Sequence, residues 1–467
     1  MINKIGKSDY GLYTLAMSVI SLFVFDFGLS VSITRFLAKY LAQGRKDLAN
    51  KCLSVVYKLY FGLDVILLII LTSIYFFIPE IYQELSLEEI EKFKVIYSVA
   101  SLYTLLSFPF LPLNGILSAN ECFIQLKLSE LVHKFLVVGL MTICLINGMG
   151  LYALVTVNAI AGIVMIGIKL GLIKKYTAQR INWKYNDKKE LKELLGFSGW
   201  VTIMSICQRS IFLLGPTILG IVSGVSAIAV FGIASTLEGY VFTFAAALSG
   251  MFLPRISRMI EKGESVLPLM IKVGRMQLII VLLIVGGFWI VGKSFISMWV
   301  GNNFSESYIC TLLIIIPAVL QLPQEIADQT LIANNKVKER SCAFLIMATV
   351  NICLGIPLAK YFGALGLSIS IAIAYFLRTL VLNIIYKKIL DLNLKKFFIE
   401  VYKPFLSIII IMMGMNYLIN TIEFGNEWIC FMAKGLLYVT IYAFTVYLIV
   451  MNKEEKSRIL NLIRRRL

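Results

Sequence analysis

Charged side chains inside long apolar runs are the residues of this sequence that could do chemistry. Near the middle of such runs lie Asp26, Asp64, Arg209, Glu238 and Arg378. Nearer the basic ends of their runs lie Arg35, Lys58, Lys169, Glu325 and Asp328. A charge at the centre of a bilayer costs about 2.5–3.5 kcal/mol on insertion scales, so such a side chain tends to face a partner or a watery cavity. The pattern predicts a polar passage through a membrane.

The apolar runs that position these charges are long enough to span a bilayer. Hydrophobic residues make up 59% of the 467 residues, charged residues make up 15%, and the mean hydropathy is +0.85. A helix of about 20 residues is roughly 30 Å long, which matches the hydrocarbon core. Thirteen runs are predicted as spanning helices: 11–38, 52–78, 93–119, 128–147, 151–173, 197–222, 226–253, 268–293, 308–333, 341–361, 364–386, 403–421 and 430–450. The predicted fold class is an all-α integral membrane protein.

The connections between the runs alternate in charge. Basic residues cluster at 39–51, 174–192, 255–275, 336–340 and 387–403, and in the tail that ends Arg464-Arg465-Arg466. The other connections are acidic or neutral. Lysine and arginine stay on the cytoplasmic side during insertion, so this pattern places the C-terminus in the cytoplasm and Met1 outside. It accounts for the net charge of +17 without nucleic acid as a partner.

Residues for metal, disulfide or nucleotide chemistry are missing from the sequence. The eight cysteines lie within or beside apolar runs and form no CxxC pair, and His133 is the one histidine. The cysteines are therefore interpreted as small buried hydrophobes. No Walker-type loop and no nucleophile with a supporting base occur, which argues against ATP-driven transport within this chain and against an enzyme.

An internal repeat indicates two related halves. The segment FPFLPLNGILSANE at 108–121 aligns with LPQEIADQTLIANN at 322–335, and this alignment pairs Pro109 with Pro323. Such internal repeats are a feature of many transporter folds. A kink at each paired proline would fall at equivalent places in the two halves.

Near the start of each half, Tyr-Gly-Leu-Tyr at 10–13 falls opposite Phe-Gly-Ile-Ala at 231–234, and Gly44 falls opposite Gly263. Under this alignment the run at 197–222 has no partner in the first half. We therefore expect a complete form with fourteen spanning helices, of which the first is missing here.

The predicted domains follow the repeat. An N-terminal lobe that lacks its first helix covers 1–196, a C-terminal lobe covers 197–400, and two extra transmembrane helices with a basic cytoplasmic tail cover 401–467. The acidic stretch QELSLEEIEKFK at 83–94 has an amphipathic pattern. It is predicted to form a surface helix outside the membrane.

The stretch IGKSDYGLYTLAMSVISLFVFDFGLSVSITRFLAKYLA at 5–42 resembles the polysaccharide transporters, the flippases of O-antigen, capsule and exopolysaccharide units. The residues that carry the resemblance are the Tyr-Gly-Leu-Tyr motif, the Asp-Phe-Gly-Leu motif at 26–29 and Arg35. This family belongs to the multidrug, oligosaccharidyl-lipid and polysaccharide exporter superfamily. Helix number, loop charges and the repeat extend the resemblance along nearly the whole chain.

The resemblance implies two six-helix bundles around a central cavity, followed by two further helices. It implies alternating access, which carries an undecaprenyl-diphosphate-linked oligosaccharide from the cytoplasmic to the outer leaflet of the bacterial cytoplasmic membrane. The implied partners are this lipid-linked substrate, membrane lipids, a polysaccharide polymerase and glycosyltransferases. No cofactor is expected, apart from H⁺ or Na⁺ as a coupling ion.

The arginines are the candidate contacts for a diphosphate, because a planar guanidinium can hold two oxygens and stays charged in a poor solvent. Arg209 and Arg378 are assigned to the cavity, and Arg35 and Lys58 to its cytoplasmic mouth. The alternatives are an ion pair between Arg209 and Glu238, and extension of Arg35 and Lys58 to lipid headgroups.

Asp26, Asp64 and Glu238 are the candidates for ion coupling or for charge pairs. Asp26 could pair with a cavity arginine or could bind a proton or Na⁺. Alternatively it anchors a neighbouring helix by a hydrogen bond, because Gly28 allows close helix approach. Asp64 carries the same alternatives.

Two other functions stay open. A cation-coupled multidrug antiporter of the same fold would have a cavity dominated by carboxylates, whereas arginines lie at mid-span here. A membrane-embedded polysaccharide polymerase or glycosyltransferase would carry a large external loop or a cluster of catalytic acids, and the sequence shows neither.

Overall fold

The computed structural model describes most of the chain and is helical wherever it is regular. The described residues are 6–23, 33, 34, 37, 40, 41, 43–177, 206, 207, 211, 213–246, 252, 256, 259, 260, 262–334, 336–420, 427–451 and 456. No strand occurs among them. The basic tail that was predicted beyond the last helix lies almost wholly outside the described residues.

The helices fall into two compact units by their contacts. Unit 1 comprises 1–232 and 355–364, and unit 2 comprises 233–354 and 365–467. The first seven helices are α1 (Lys7–Phe23), α2 (Lys46–Ile81), α3 (Leu87–Ser107), α4 (Pro112–Ala119), α5 (Phe123–Ile146), α6 (Leu151–Tyr176) and α7 (Leu213–Val222). The two lobes and the C-terminal pair of helices were predicted from the sequence repeat. This division by contacts does not test them, so they stay predictions.

The next helices are α8 (Val225–Ala246), α9 (Leu267–Val300), α10 (Glu306–Ile315), α11 (Ala318–Gln321), α12 (Glu325–Ala333), α13 (Val337–Ile389), α14 (Leu394–Tyr402), α15 (Leu406–Asn420) and α16 (Glu427–Thr445). The long α13 is two helices that meet at Gly363, whose φ of 57° and ψ of −135° are not helical. That break falls between the predicted runs 341–361 and 364–386.

The predicted class of all-α membrane protein is confirmed. Ten helical segments of the described residues are long and apolar enough to cross a membrane. They become eleven when α13 is divided at Gly363, and thirteen when the shorter α1 and α7 are added. Each of the thirteen predicted runs overlaps one of these segments. Large apolar side chains stay exposed on α2 and α5, such as Ile69 and Phe135, as expected of surfaces that face lipid.

The paired glycines of the repeat adopt the same local structure. Gly44 has a φ of 69° and Gly263 a φ of 68°, a region open to glycine at little cost. The Gly44 amide donates to Leu41 O at 2.9 Å, and the Gly263 amide donates to Ile260 O at 3.0 Å. This geometry ends a helix with a left-handed glycine, so the repeat is structural at these two positions.

The paired prolines also occupy equivalent structures. Pro109 lies in a single 3₁₀ turn, Phe108–Phe110, between α3 and α4, and Pro323 lies in the turn Leu322–Gln324 between α11 and α12. The helix after each turn ends at an alanine followed by a capping asparagine. The two prolines therefore interrupt their α-helical segments at equivalent places, and the kinks themselves stay a prediction.

The prediction of a separate surface helix at 83–94 is wrong. The Ser86 side chain accepts from the Glu89 amide at 3.3 Å, and the Glu89 carboxylate accepts from the Ser86 amide at 3.0 Å. This capping box starts α3 at Leu87, and the helix then continues without a break to Ser107. The acidic residues are therefore the exposed first turns of a membrane-spanning helix.

Within unit 1, α1 packs closely against the start of α7 and the start of α8. A side chain at Gly11 would collide with Val225, and a side chain at Gly232 would meet Thr14 and Tyr10. The Ser18 hydroxyl donates to the Leu213 carbonyl. Gly11 and Gly232 are partners in the internal alignment, so the repeat places a glycine on each side of this contact.

Within unit 2, the C-terminal helices pack on α9. The Tyr442 hydroxyl donates to Ile279 O at 2.7 Å, and the Tyr438 hydroxyl lies 3.1 Å from Leu282 O. The buried guanidinium of Arg275 donates to Val450 O at 2.7 Å and to Glu400 O at 3.2 Å. These bonds attach the last two spanning segments to the core of the unit.

Candidate functional site

The predicted site residues divide into described and undescribed positions. Asp26, Arg35 and Arg209 lie outside the described residues, so their assigned roles stay predictions. Lys58 and Asp64 lie on α2, Glu238 lies on α8, and Arg378 lies in the second part of α13.

Lys58 and Asp64 do not share a face of α2. Six residues separate them, which corresponds to a rise of about 9 Å and a rotation of about 240°. Both side chains are half-buried. The Oδ1 atom of Asp64 is buried without a hydrogen-bond partner among the described residues. A carboxylate in that setting is suited to take up a proton or a cation.

A charged cluster fills the interior of unit 2 where α12 meets the first part of α13. The Arg340 guanidinium binds both carboxylate oxygens of Asp328 with three hydrogen bonds of 2.7 to 2.9 Å. Both residues are buried. One turn earlier on α12, the Glu325 carboxylate accepts from Gln329 at 2.9 Å. The fork geometry gives both orientation and strength to the pair.

The ring of Phe344 joins this pair to Arg378. The guanidinium carbons of Arg340 and Arg378 each lie 4.8 Å from the centroid of the ring. The negative faces of an aromatic ring attract cations, most strongly where water is excluded. Phe344 therefore lets two buried arginines lie near one another with a neutral side chain between them.

Tyr375 extends the cluster to Glu238. The Arg378 guanidinium lies 5.3 Å from the Tyr375 ring centroid, and the Tyr375 hydroxyl lies 3.4 Å from Oε1 of Glu238. Arg378 is only 5% exposed, and its Nε atom has no hydrogen-bond partner among the described residues. The structure thus brings Arg378 and Glu238 together through Tyr375, although the sequence suggested Arg209 as the partner of Glu238.

Unit 1 contains a cavity of about 530 Å³ that the sequence did not reveal. Helices α1, α3, α4, α5 and α6 line it, and its polar residues include Asn114, His133, Lys134, Asn158 and Lys169. The volume lies within the roughly 300–1,000 Å³ usual for ligand pockets.

Inside this cavity the polar groups contact one another. The Lys169 ammonium donates to Oδ1 of Asn114 at 2.7 Å, and the Asn158 amide donates to the Tyr13 hydroxyl at 3.3 Å. Helical spacing is the signal that could have revealed the cavity. Val155, Asn158, Gly162, Met165 and Lys169 fall on one face of α6.

Groups suited to hold a metal ion are missing from the described residues, where no cluster of three or more histidine, cysteine or acidic side chains occurs. All eight cysteines lie within the described part of the chain, and no disulfide joins any of them.

The helical architecture with its membrane-spanning segments defines a multi-pass membrane protein. Residues 2–260 match a protein family described as "Polysaccharide biosynthesis protein". The chain belongs to this family, and the prediction made from the motifs at 10–13 and 26–29 is confirmed. No curated protein sequence matches the chain.

Solved structures share the fold. A structure titled lipid II flippase MurJ, in an inward closed conformation, has a TM-score of 0.69 at 15% identity and covers 94% of this chain and 97% of its own. An inward-facing multidrug resistance MATE family transporter of the MOP superfamily has a TM-score of 0.70 at 13% identity, covering 80% and 89%. A MOP superfamily transporter from Pyrococcus furiosus has a TM-score of 0.56 at 16% identity, covering 81% and 86%.

Proposed function

We propose that this protein is a flippase of the bacterial cytoplasmic membrane, which moves undecaprenyl-diphosphate-linked oligosaccharide units to the outer leaflet by alternating access. The proposal rests on two findings made for the same chain. Its residues 2–260 belong to a polysaccharide biosynthesis family, and its fold matches a lipid II flippase along 94% of its length. The basic connections then lie in the cytoplasm together with the C-terminus.

The charged cluster of unit 2 supports a coupling role for Glu238. Its carboxylate is buried against Tyr375, with Arg378 as the nearby positive charge. A proton or Na⁺ that binds Glu238 would neutralise its negative charge and so weaken its attraction for Arg378. A shift of Arg378 would then reach Arg340 and Asp328 through the ring of Phe344, which both arginines contact. Asp26 and Asp64 remain the other coupling candidates.

The burial of Arg378 favours a place inside this network over direct contact with substrate. Two aromatic rings cover its guanidinium. For the diphosphate itself, Arg35, Lys58 and Arg209 remain the proposed contacts from the sequence. Polysaccharide polymerase and glycosyltransferases remain the proposed partners, since they would use and make the lipid-linked unit.

A cation-coupled multidrug antiporter is the second candidate. The similarity to the MATE family transporter favours it, as does a buried carboxylate at Glu238. The two functions differ in what they require, because a flippase needs a lipid-linked sugar whereas an antiporter extrudes soluble drugs.

The test is a bacterial host that lacks the flippase of a surface polysaccharide whose repeat unit matches the native locus of this gene. We expect the wild-type chain to restore surface polymer and to leave drug resistance unchanged. Glu238→Gln should lower the polymer strongly, because the carboxylate can no longer change its charge. Glu427→Gln, at the exposed start of α16, is the matched control and should behave as wild type. Raised drug resistance without polymer would instead support the antiporter.

A further inference from the structure

The side chains that line the cavity of unit 1 carry a net positive charge. Lys134 and Lys169 both line it, next to His133. The one acidic residue of its lining is Glu130, whose carboxylate is paired with Lys127 at 2.8 Å and also attracts Lys169, so a single negative charge is shared among the lysines. The ammonium of Lys169 has an uncharged partner, Asn114. The cavity is therefore complementary to an anion.

The other end of the cavity is aromatic and amide-bearing. The Tyr103 ring lies directly over Gly162, where a side chain would collide with the phenol. Asn158 lies one turn before Gly162 on the same face of α6, and Ser21 of α1 also lines the cavity. Aromatic faces and amide groups suit the apolar faces and the hydroxyls of a sugar ring.

The two ends lie at different depths in the membrane. Eleven residues along α6 separate Asn158 from Lys169, a rise of about 16 Å. Lys169 lies two turns before the end of α6 that leads into the basic connection 174–192. Under the proposed topology the lysines therefore lie toward the cytoplasmic side, and the amide end lies toward the outside.

We propose that this cavity binds the head of a lipid-linked sugar phosphate, with Lys134 and Lys169 on phosphate oxygens and with Tyr103 and Asn158 against the adjoining sugar. These contacts are additional to those proposed from the sequence at Arg35, Lys58 and Arg209. The inference rests on the proposed function and gives it a substrate subsite within unit 1. Ordinary phospholipids also carry a phosphate ester. The sugar therefore distinguishes a lipid-linked substrate from a phospholipid.

The experiment is site-specific photo-crosslinking of the full chain in nanodiscs of phosphatidylcholine. A photoreactive residue replaces Ile166, which lines the cavity, or Val164, which is exposed on the opposite side of α6. The radiolabelled probes are undecaprenyl diphosphate that carries one hexose, undecaprenyl phosphate and phosphatidylglycerol. Only preparations that elute as wild type from size exclusion are compared.

We expect position 166 to label most strongly with the sugar diphosphate, and position 164 to label equally weakly with all three lipids. Lys169→Met should reduce labelling at position 166 by about tenfold, because a charge-assisted hydrogen bond to phosphate is lost. Lys175→Met, on the same helix but outside the cavity, should leave it unchanged. Lys134→Met serves as the second variant if Lys169→Met does not fold.

Equal labelling at positions 166 and 164 would overturn the inference, as would labelling that Lys169→Met leaves intact. If phosphatidylglycerol labels position 166 as strongly as the sugar diphosphate does, the cavity is a phospholipid site and not a substrate subsite. Transport of the lipid-linked sugar by the same preparations is measured in parallel. If the protein transports the lipid-linked sugar but position 166 is not labelled, only the subsite is rejected. If wild type does not transport the lipid-linked sugar at all, the proposed function is rejected.

Discussion

Lys169 and Asn114 are joined inside unit 1 by a hydrogen bond of 2.7 Å between Nζ and Oδ1. The bond joins a lysine of α6 to α4, the short helix that follows the 3₁₀ turn at Pro109. The amide positions the ammonium without neutralising it, and the nearby Glu130 is shared with Lys127, so the lining keeps a net positive charge that makes the cavity of unit 1 a candidate site for an anion.

Asn114→Asp should therefore reduce transport while the fold is retained. The new carboxylate has the shape of the amide and would form an ion pair with Lys169, which neutralises one of the two lysines that line the cavity. We expect about tenfold less surface polymer at wild-type levels of protein in the membrane. Asn147→Asp, at the exposed C-terminal end of α5, is the control. Polymer at wild-type level in Asn114→Asp would show that the cavity charge is not needed.

The pair formed by Asp328 and Arg340 should be a main contributor to the stability of unit 2. Arg340→Met leaves a buried carboxylate without its partner, and such a loss costs about 3–5 kcal/mol. Thermal unfolding of the purified protein in detergent measures the change. The double variant Asp328→Leu with Arg340→Met should recover most of the loss, because no buried charge is left unpaired.

The matched control is the pair formed by the exposed Lys336 and the half-buried Glu339, whose charged atoms lie 3.8 Å apart. Lys336→Met should change stability by less than about 1 kcal/mol. Equal losses in Arg340→Met and Lys336→Met would contradict the importance assigned to the buried pair.

Phe344→Leu tests the contact of one ring with two arginines. Leucine keeps much of the apolar volume but offers no aromatic face to Arg340 and Arg378. A cation–π contact contributes about 0.5–2 kcal/mol, so we expect a loss of about 1–3 kcal/mol in unfolding free energy. Phe362→Leu, at an exposed position, should have little effect. Unchanged stability in Phe344→Leu would mean that the ring only fills space.

Gly11→Ala tests the close contact of α1 with the start of α8. The added methyl group would meet the side chain and the carbonyl oxygen of Val225, and overpacking of this kind costs about 1–3 kcal/mol. Gly62→Ala is the matched control in α2, where the methyl group enters open space. It should stabilise the protein by about 0.5–1 kcal/mol, because alanine favours the helix. A stabilising Gly11→Ala would contradict the described packing.

The spanning helices and the repeat could be predicted because their signals are local. An apolar run must be helical in a membrane, since its backbone polar groups find no other partners there. Gly44 and Gly263, like Pro109 and Pro323, are positions where the backbone requires a particular residue. Such positions remain visible when the rest of two repeats has diverged.

The sites could be predicted only in part because their residues come from several helices. Glu238 and Arg378 were visible as charges within apolar runs, but nothing in the sequence places Tyr375 between them. Lys169 and Asn114 come from different helices, so their contact depends on packing. The surface helix at 83–94 was predicted wrongly because the amphipathic pattern outweighed the capping box at Ser86.

The most direct test of the central claim is transport in reconstituted vesicles. The purified chain is placed in liposomes with undecaprenyl diphosphate that carries a fluorescent oligosaccharide, and a membrane-impermeant quencher reports which leaflet holds the sugar. We predict that wild type exposes the inner-leaflet lipid to the quencher and that Glu238→Gln does so much more slowly. Empty liposomes should expose only the lipid that began in the outer leaflet. If wild-type vesicles behaved like empty liposomes across a range of H⁺ and Na⁺ gradients, the assignment as a flippase would be contradicted.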